Sequence, residues 1–264
     1  MSGLFTEAAL LALGVTVLAG LSTILGSLAV LRADRADPRL LAIALAFAGG
    51  AMVYVSLVEI LGKSAGALVM EHGLRWGHGL ATLAFFAGVL AVIGLDRLVP
   101  NPHADVAAAA AAEKTELRRV GLLAAAAITA HNLPEGMATF FATLDDPVLG
   151  STLAFAIALH NIPEGISIAV PVFYATGSRW KATMATVVAG LAEPVGAVLG
   201  YLVLAPILTP TVIGLLFGAI AGIMVFLSLD ELLPAAKRYA SGHEATYGML
   251  GGMAVLAVSL VLLR

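Results

Sequence analysis

Residues 148–174 read VLGSTLAFAIALHNIPEGISIAVPVFY, an apolar stretch long enough to cross a bilayer as one helix. Near its middle stand His160-Asn161-Ile162-Pro163-Glu164-Gly165. The preceding apolar stretch carries a near copy, His131-Asn132-Leu133-Pro134-Glu135-Gly136. Each copy puts an imidazole, an amide and a carboxylate where lipid or apolar side chains would otherwise surround a helix. Ionisable groups at that depth are costly and mark function. The pattern points to a divalent-metal site.

The rest of the chain fits this setting. Of its 264 residues, 60% are hydrophobic and 12% charged, and the mean hydropathy is +1.00, far above a soluble domain. Apolar runs near 6–31, 39–62, 77–98, 117–143, 148–174, 181–204, 212–233 and 245–263 predict eight spanning helices. They leave no room for a separate soluble domain, so 1–264 reads as one transmembrane unit. The first run carries Glu7 and lacks a basic leader, so it reads as a retained helix rather than a signal peptide. A net charge of -3 gives no argument for nucleic acid. The absence of cysteine excludes disulfides, iron–sulfur clusters and thiolate ligands. No Gly-rich loop with Lys-Ser/Thr is present, so the chain does not power itself with ATP.

Basic residues are distributed unevenly. Arg32, Arg35, Arg39, Arg97, Lys114, Arg118, Arg119, Arg179, Lys181, Lys237 and Arg238 follow the odd-numbered spans, against Lys63, Arg75 and Arg264 on the other side. The positive-inside rule turns the first set to the cytoplasm and both termini outward, to the periplasmic side in a bacterial inner membrane. Residues 101–116, with the alanine run 107–112, form the one long connection, a cytoplasmic linker. Glycines at four-residue spacing, Gly196/Gly200 and Gly214/Gly218/Gly222, permit close helix packing, more commonly within a bundle than in a homodimer.

Spacing alone sets depth. His131 and His160 are equidistant from the Asp145-Asp146 turn, and Glu164 and Glu193 from the Gly177-Ser178-Arg179 loop. Antiparallel helices therefore gather Glu135, Glu164 and Glu193 near the midplane. Within each hexapeptide the His, Asn and Glu share one helical face. Pro134, Pro163 and Pro194 free the carbonyls of Ala130, Leu159 and Gly190 four residues back and loosen the helix there. His131, Glu135, His160 and Glu164 make a two-nitrogen, two-carboxylate set suited to Zn2+ and other first-row divalent ions. Asn132, Asn161 and Glu193 would add an oxygen-rich second position, with Glu135 and Glu164 bridging. Two cations against three carboxylates nearly balance in charge, which lowers the desolvation cost.

One buried histidine is more often a packing residue than a ligand, and one Pro-Glu more often a kink. Two copies at matched depth plus a third carboxylate outweigh that reading. An intramembrane metal-dependent hydrolase is the rival from another class. Metalloproteases space His-Glu-x-x-His, whereas here the glutamate follows by four with proline between. A metal-stabilised scaffold without transport is the third.

The paired hexapeptides resemble those of the ZIP (Zrt/Irt-like) family of metal transporters, and the resemblance runs over essentially the whole chain. Gly190-Leu191-Ala192-Glu193-Pro194, Ser228-Leu229-Asp230-Glu231-Leu232-Leu233-Pro234 and Leu95-Asp96-Arg97-Leu98-Val99-Pro100 carry it further. It implies an all-α membrane protein of eight helices in a 3+2+3 arrangement with inverted repeats, the central pair holding a binuclear centre. It also implies a transporter rather than an enzyme, taking up zinc and, in the bacterial branch, iron, manganese, cobalt or cadmium. By the same resemblance the first position would be His131, Glu135, His160 and Glu164. The second would be Asn132, Glu135, Asn161, Glu164 and Glu193. Asp230 and Glu231 match a place where metal leaves toward the cytoplasm, though a solvated helix end explains them nearly as well. Glu59 reads equally as a pathway acid or an internally paired residue. One departure is the loop after the third span, which has only His103 where many relatives are histidine-rich.

Overall fold

The computed structural model describes residues 6–28, 30, 38–96, 129 and 132–262, and among them every regular element is helical. The first helix, α1 (Glu7–Gly26), starts at Thr6, whose hydroxyl accepts the Ala9 amide at 3.2 Å. That contact satisfies one of the orphan donors of a first turn. Helix α2 runs through Pro38–Val55, a π turn at Ser56–Ile60 and Leu61–His72. It stops at Gly73, whose φ of 78° favours glycine. Helix α3 spans Leu74–Asp96. Residues 132–145 form the described part of α4.

Helix α5 spans Pro147–Thr176. The intervening Asp146 accepts the Val148 N–H at 2.9 Å, an Asx turn that reverses the chain. Helix α6 (Arg179–Leu204) is capped by Ser178 and ends in a 3-10 turn at Ala205–Ile207. Helix α7 opens on the Thr209 cap with Pro210 in its first turn. It comprises Pro210–Leu227, a second π turn at Ser228–Leu232 and Leu233–Tyr239. Helix α8 spans Glu244–Leu262.

The fold class is an all-α membrane protein. Seven of the described helices are long and apolar enough to cross a bilayer. The fourth span read at 117–143 lies largely outside the described residues, as does the loop 101–116.

Two helix ends differ from the sequence reading. Helix α2 continues past residue 62 to His72, and α7 past 233 to Tyr239. Lys63 suggested the earlier stop, but its ammonium is accommodated 5.5 Å from the centroid of the Phe217 ring, within electrostatic reach of Asp145, Glu59 and Asp146.

The helices associate in two groups. Helix α1 packs along α5 and α6, and α4 meets α6 at Gly136, Gly196 and Gly200. Helix α8 packs along α2, and α7 along α3 and α2. The groups meet chiefly where α2 crosses α5. Lipid tails supply no hydrophobic drive between helices, so close backbone approach over small residues holds them. The spaced glycines serve this purpose inside the chain: Gly196 faces the Leu133 backbone, Gly214 the Leu68 side chain, Gly218 Ala84 and Ser64, and Gly222 the Phe85 backbone. They therefore carry no argument for a homodimer.

Candidate metal centre

The two hexapeptides meet in the α1/α4/α5/α6 group. Asn132, Glu135, His160, Asn161, Glu164 and Glu193 are each fully buried. One ligand atom each from Glu135, His160 and Glu164 lies within 4.8 Å of the others, and His160 Nε2 is 3.2 Å from Glu135 Oε1. Glu193 comes from α6 beside them. Asn161 Nδ2 donates to Glu193 Oε1 at 2.6 Å, and the carboxylates of Glu135 and Glu164 act on Glu193 electrostatically. His131 lies outside the described residues.

The asparagine amides are oriented by backbone. Asn132 Nδ2 donates to the Ala189 carbonyl of α6 at 3.0 Å, and Asn161 Nδ2 to the Ala19 carbonyl of α1 at 3.0 Å. With their N–H groups engaged, both present Oδ1 as a free acceptor. Among the described residues, Asn132 Oδ1, Asn161 Oδ1, Glu135 Oε2 and Glu193 Oε2 are buried and receive no hydrogen bond. Orphaned oxygens at such depth are expensive, and a bound cation is what would compensate them. The donor set, several oxygens with at least one imidazole, suits a borderline divalent ion.

Each hexapeptide ends in glycine for a steric reason. A Cβ on Gly136 would collide with the Glu193 backbone of α6, and one on Gly165 with the Thr23 carbonyl of α1. The glycines thus bring the flanking helices against the site.

Glu59, Asp230 and Glu231 are not among the residues whose ligand atoms converge. Glu59 is buried on the π turn of α2, whereas Asp230 is exposed and Glu231 half-buried on that of α7. The π turns were not anticipated. Their signal was legible as a repeat, Ser56-Leu57-Val58-Glu59-Ile60 against Ser228-Leu229-Asp230-Glu231-Leu232, and such turns frequently accompany function. A cavity of about 470 Å³ opens at the α4–α5 and α6–α7 turns, lined by Lys63, Glu71, Asp145, Asp146, Thr209 and Phe217 among others.

A multi-pass helical bundle with a carboxylate–histidine cluster at its centre defines the class: a membrane protein built to hold a divalent cation inside the bilayer. Residues 101–260 match the family model for the ZIP zinc transporter. The chain is 57% identical to a zinc transporter ZupT of Stenotrophomonas maltophilia over 258 residues, 96% of each protein. It is 57% identical to the protein of that name from Neisseria meningitidis, over 95% of each, and 46% identical to that of Chlorobium chlorochromatii, over 97% of this chain and 99% of the relative. The chain belongs to the ZIP family of zinc transporters.

Proposed function

We propose that this protein carries Zn2+ and chemically similar divalent cations (Fe2+, Mn2+, Co2+ or Cd2+) into the cytoplasm, binding them as substrate at the cluster. The observation that carries the proposal is the set of buried, unsatisfied oxygens contributed by both hexapeptides and α6. His131, Glu135, His160 and Glu164 form the first position. Asn132, Asn161 and Glu193 form the second, with Glu135 and Glu164 shared. The basic loops orient the protein in the inner membrane with both termini on the periplasmic side.

Entry from outside leads to partial dehydration and binding. Release inward follows as the α1/α4/α5/α6 group moves against the α2/α3/α7/α8 group, which it meets chiefly along α2 and α5. A membrane potential favours inward movement of a doubly charged ion by roughly 4 to 5 kcal/mol per 100 mV, enough for concentrative uptake without ATP.

The test is radiolabelled Zn2+ uptake into liposomes holding the purified protein, with and without an imposed potential. Saturable uptake by the wild type, accelerated by an inside-negative potential and abolished by Glu164→Ala, is the expected result. Stoichiometric binding without flux would overturn the reading and leave a metal-stabilised scaffold.

A further inference from the structure

The segments flanking the site form a repeat of their own. Ala19-Gly20-Leu21-Ser22-Thr23 on α1 parallels Ala189-Gly190-Leu191-Ala192-Glu193 on α6. The contacts repeat with the sequence. Ala19 O accepts the Asn161 amide and Ala189 O the Asn132 amide, both at 3.0 Å. A Cβ on Gly20 would strike the Gly190 carbonyl, and one on Gly190 the Gly20 carbonyl. The same two added atoms would lie 3.4 Å from Glu193 Cβ and 3.6 Å from Thr23 Cβ respectively. Gly136 closes on the backbone of Glu193, and Gly165 on that of Thr23. An internal pseudo-twofold exchanges α4 with α5 and α1 with α6. Under it, Thr23 occupies the place that Glu193 occupies on the other side.

The Thr23 hydroxyl, like those of Ser56 and Thr139, is buried without a hydrogen-bond partner among the described residues. Hydroxyls in apolar helices ordinarily fold back onto the carbonyl three or four residues before. Thr16 does so to Ala12 O at 2.9 Å, Ser22 to Ala19 O at 2.6 Å and Ser27 to Ile24 O at 2.7 Å. The carbonyls in reach of Thr23 are Gly20 O, to which it makes no bond, and Ala19 O, which already receives Ser22 and Asn161. Thr23 is fully buried, and its Oγ1 has no hydrogen-bond partner among the described residues. The repeat that anchors Asn161 thus leaves an oxygen unsatisfied at the position symmetry-related to a carboxylate.

From this juxtaposition we infer that Thr23 Oγ1 is a further ligand of the central cluster, a neutral oxygen donor at the oxygen-rich cation position. The inference rests on the metal reading above. A neutral hard oxygen contributes most to ions that seek six oxygen-rich ligands, such as Mn2+, and little to four-coordinate Zn2+. Thr23 is therefore a specificity-determining residue, favouring harder ions.

The experiment measures Zn2+ and Mn2+ dissociation constants by calorimetry on the purified full-length protein, for wild type, Thr23→Val and Thr23→Ser, with radiolabelled uptake followed in parallel. Valine replaces the hydroxyl by a methyl of similar size. Thr23→Val is expected to weaken Mn2+ about five- to tenfold, the order of one lost polar contact. Zn2+ should change by less than about twofold, and Thr23→Ser should hold both constants near wild type. A Zn2+/Mn2+ ratio unchanged by valine would overturn the assignment, as would equal loss of both ions in the valine and serine variants, which marks a packing role. Wild type that binds both ions but transports neither would overturn the transport reading alone, because the ligand assignment is read from the binding ratio.

Discussion

Gly136→Ala tests whether helix contact, and not only ligand identity, builds the second cation position. The added methyl would meet the O, C and Cα of Glu193 at distances that real Cβ atoms do not adopt, and all three are backbone atoms without a side chain to rotate away. Close-packed interiors do not absorb such overlap, so α4 and α6 would separate by about 1 Å at that level. Over-packing of this kind costs about 1–3 kcal/mol, partly offset by the better helix propensity of alanine, worth about 1 kcal/mol. The larger consequence falls on Glu193, whose backbone is the part displaced. Metal sites tolerate ligand displacements of about 0.2 Å, so a shift near 1 Å withdraws this carboxylate from the second position. The assay is a bound-metal count by mass spectrometry on protein purified in detergent, beside its thermal unfolding midpoint. Gly14→Ala serves as control, because a Cβ there meets nothing within 4 Å. Gly136→Ala should melt lower and retain about half the zinc, with the control unchanged on both counts. A full metal complement and unshifted melting in Gly136→Ala would refute the steric reasoning.

Glu193→Gln keeps the volume and the contact to Asn161 while removing the charge, so it should release the second ion and spare the first; equal loss of both in titrations with Zn2+ would contradict the division into two positions. Lys63→Met removes a cation from a cavity it shares with Glu71, Asp145 and Asp146. With that positive charge gone, kcat/KM for Zn2+ uptake should rise about threefold at low ionic strength and fall back toward wild type at 0.15 M salt. A rate that is unchanged, or a gain indifferent to salt, would show that Lys63 does not act on the incoming ion.

The membrane class and the convergence of Glu135, His160 and Glu164 were legible because both are written in long-range repetition. Apolar length is dictated by bilayer thickness, and the turns Asp145-Asp146-Pro147 and Gly177-Ser178 locate the reversals that bring Glu135, Glu164 and Glu193 to one level. The helix ends were less legible. A charged residue such as Lys63 reads as a boundary until the structure supplies Phe217 and the carboxylates of Asp145, Glu59 and Asp146 around it. The π turns escaped because a single inserted residue leaves hydropathy unchanged and shows only as a matched Ser-Leu-x-Glu on α2 and α7. Thr23 escaped for a different reason. A threonine in an apolar helix is ordinarily satisfied by its own backbone, and only the folded structure, where its buried Oγ1 has no partner among the described residues, reveals that this one is not.

Under the proposed ligand role, a neutral residue at position 23 suits a carrier cycle better than a second glutamate would. With Glu135, Glu164 and Glu193 ionised, two divalent ions leave the filled cluster with one excess positive charge. A fourth carboxylate at position 23 would make the filled cluster neutral and bind ions more tightly. It would also add a fourth buried carboxylate to the empty cluster, which must either stay charged at a cost of several kcal/mol or take up a proton in each cycle. A carrier must pass through its empty form once per cycle, so tight binding gained there would return as slow resetting or slow release. A neutral hydroxyl keeps an oxygen donor on that side of the pseudo-twofold without that penalty.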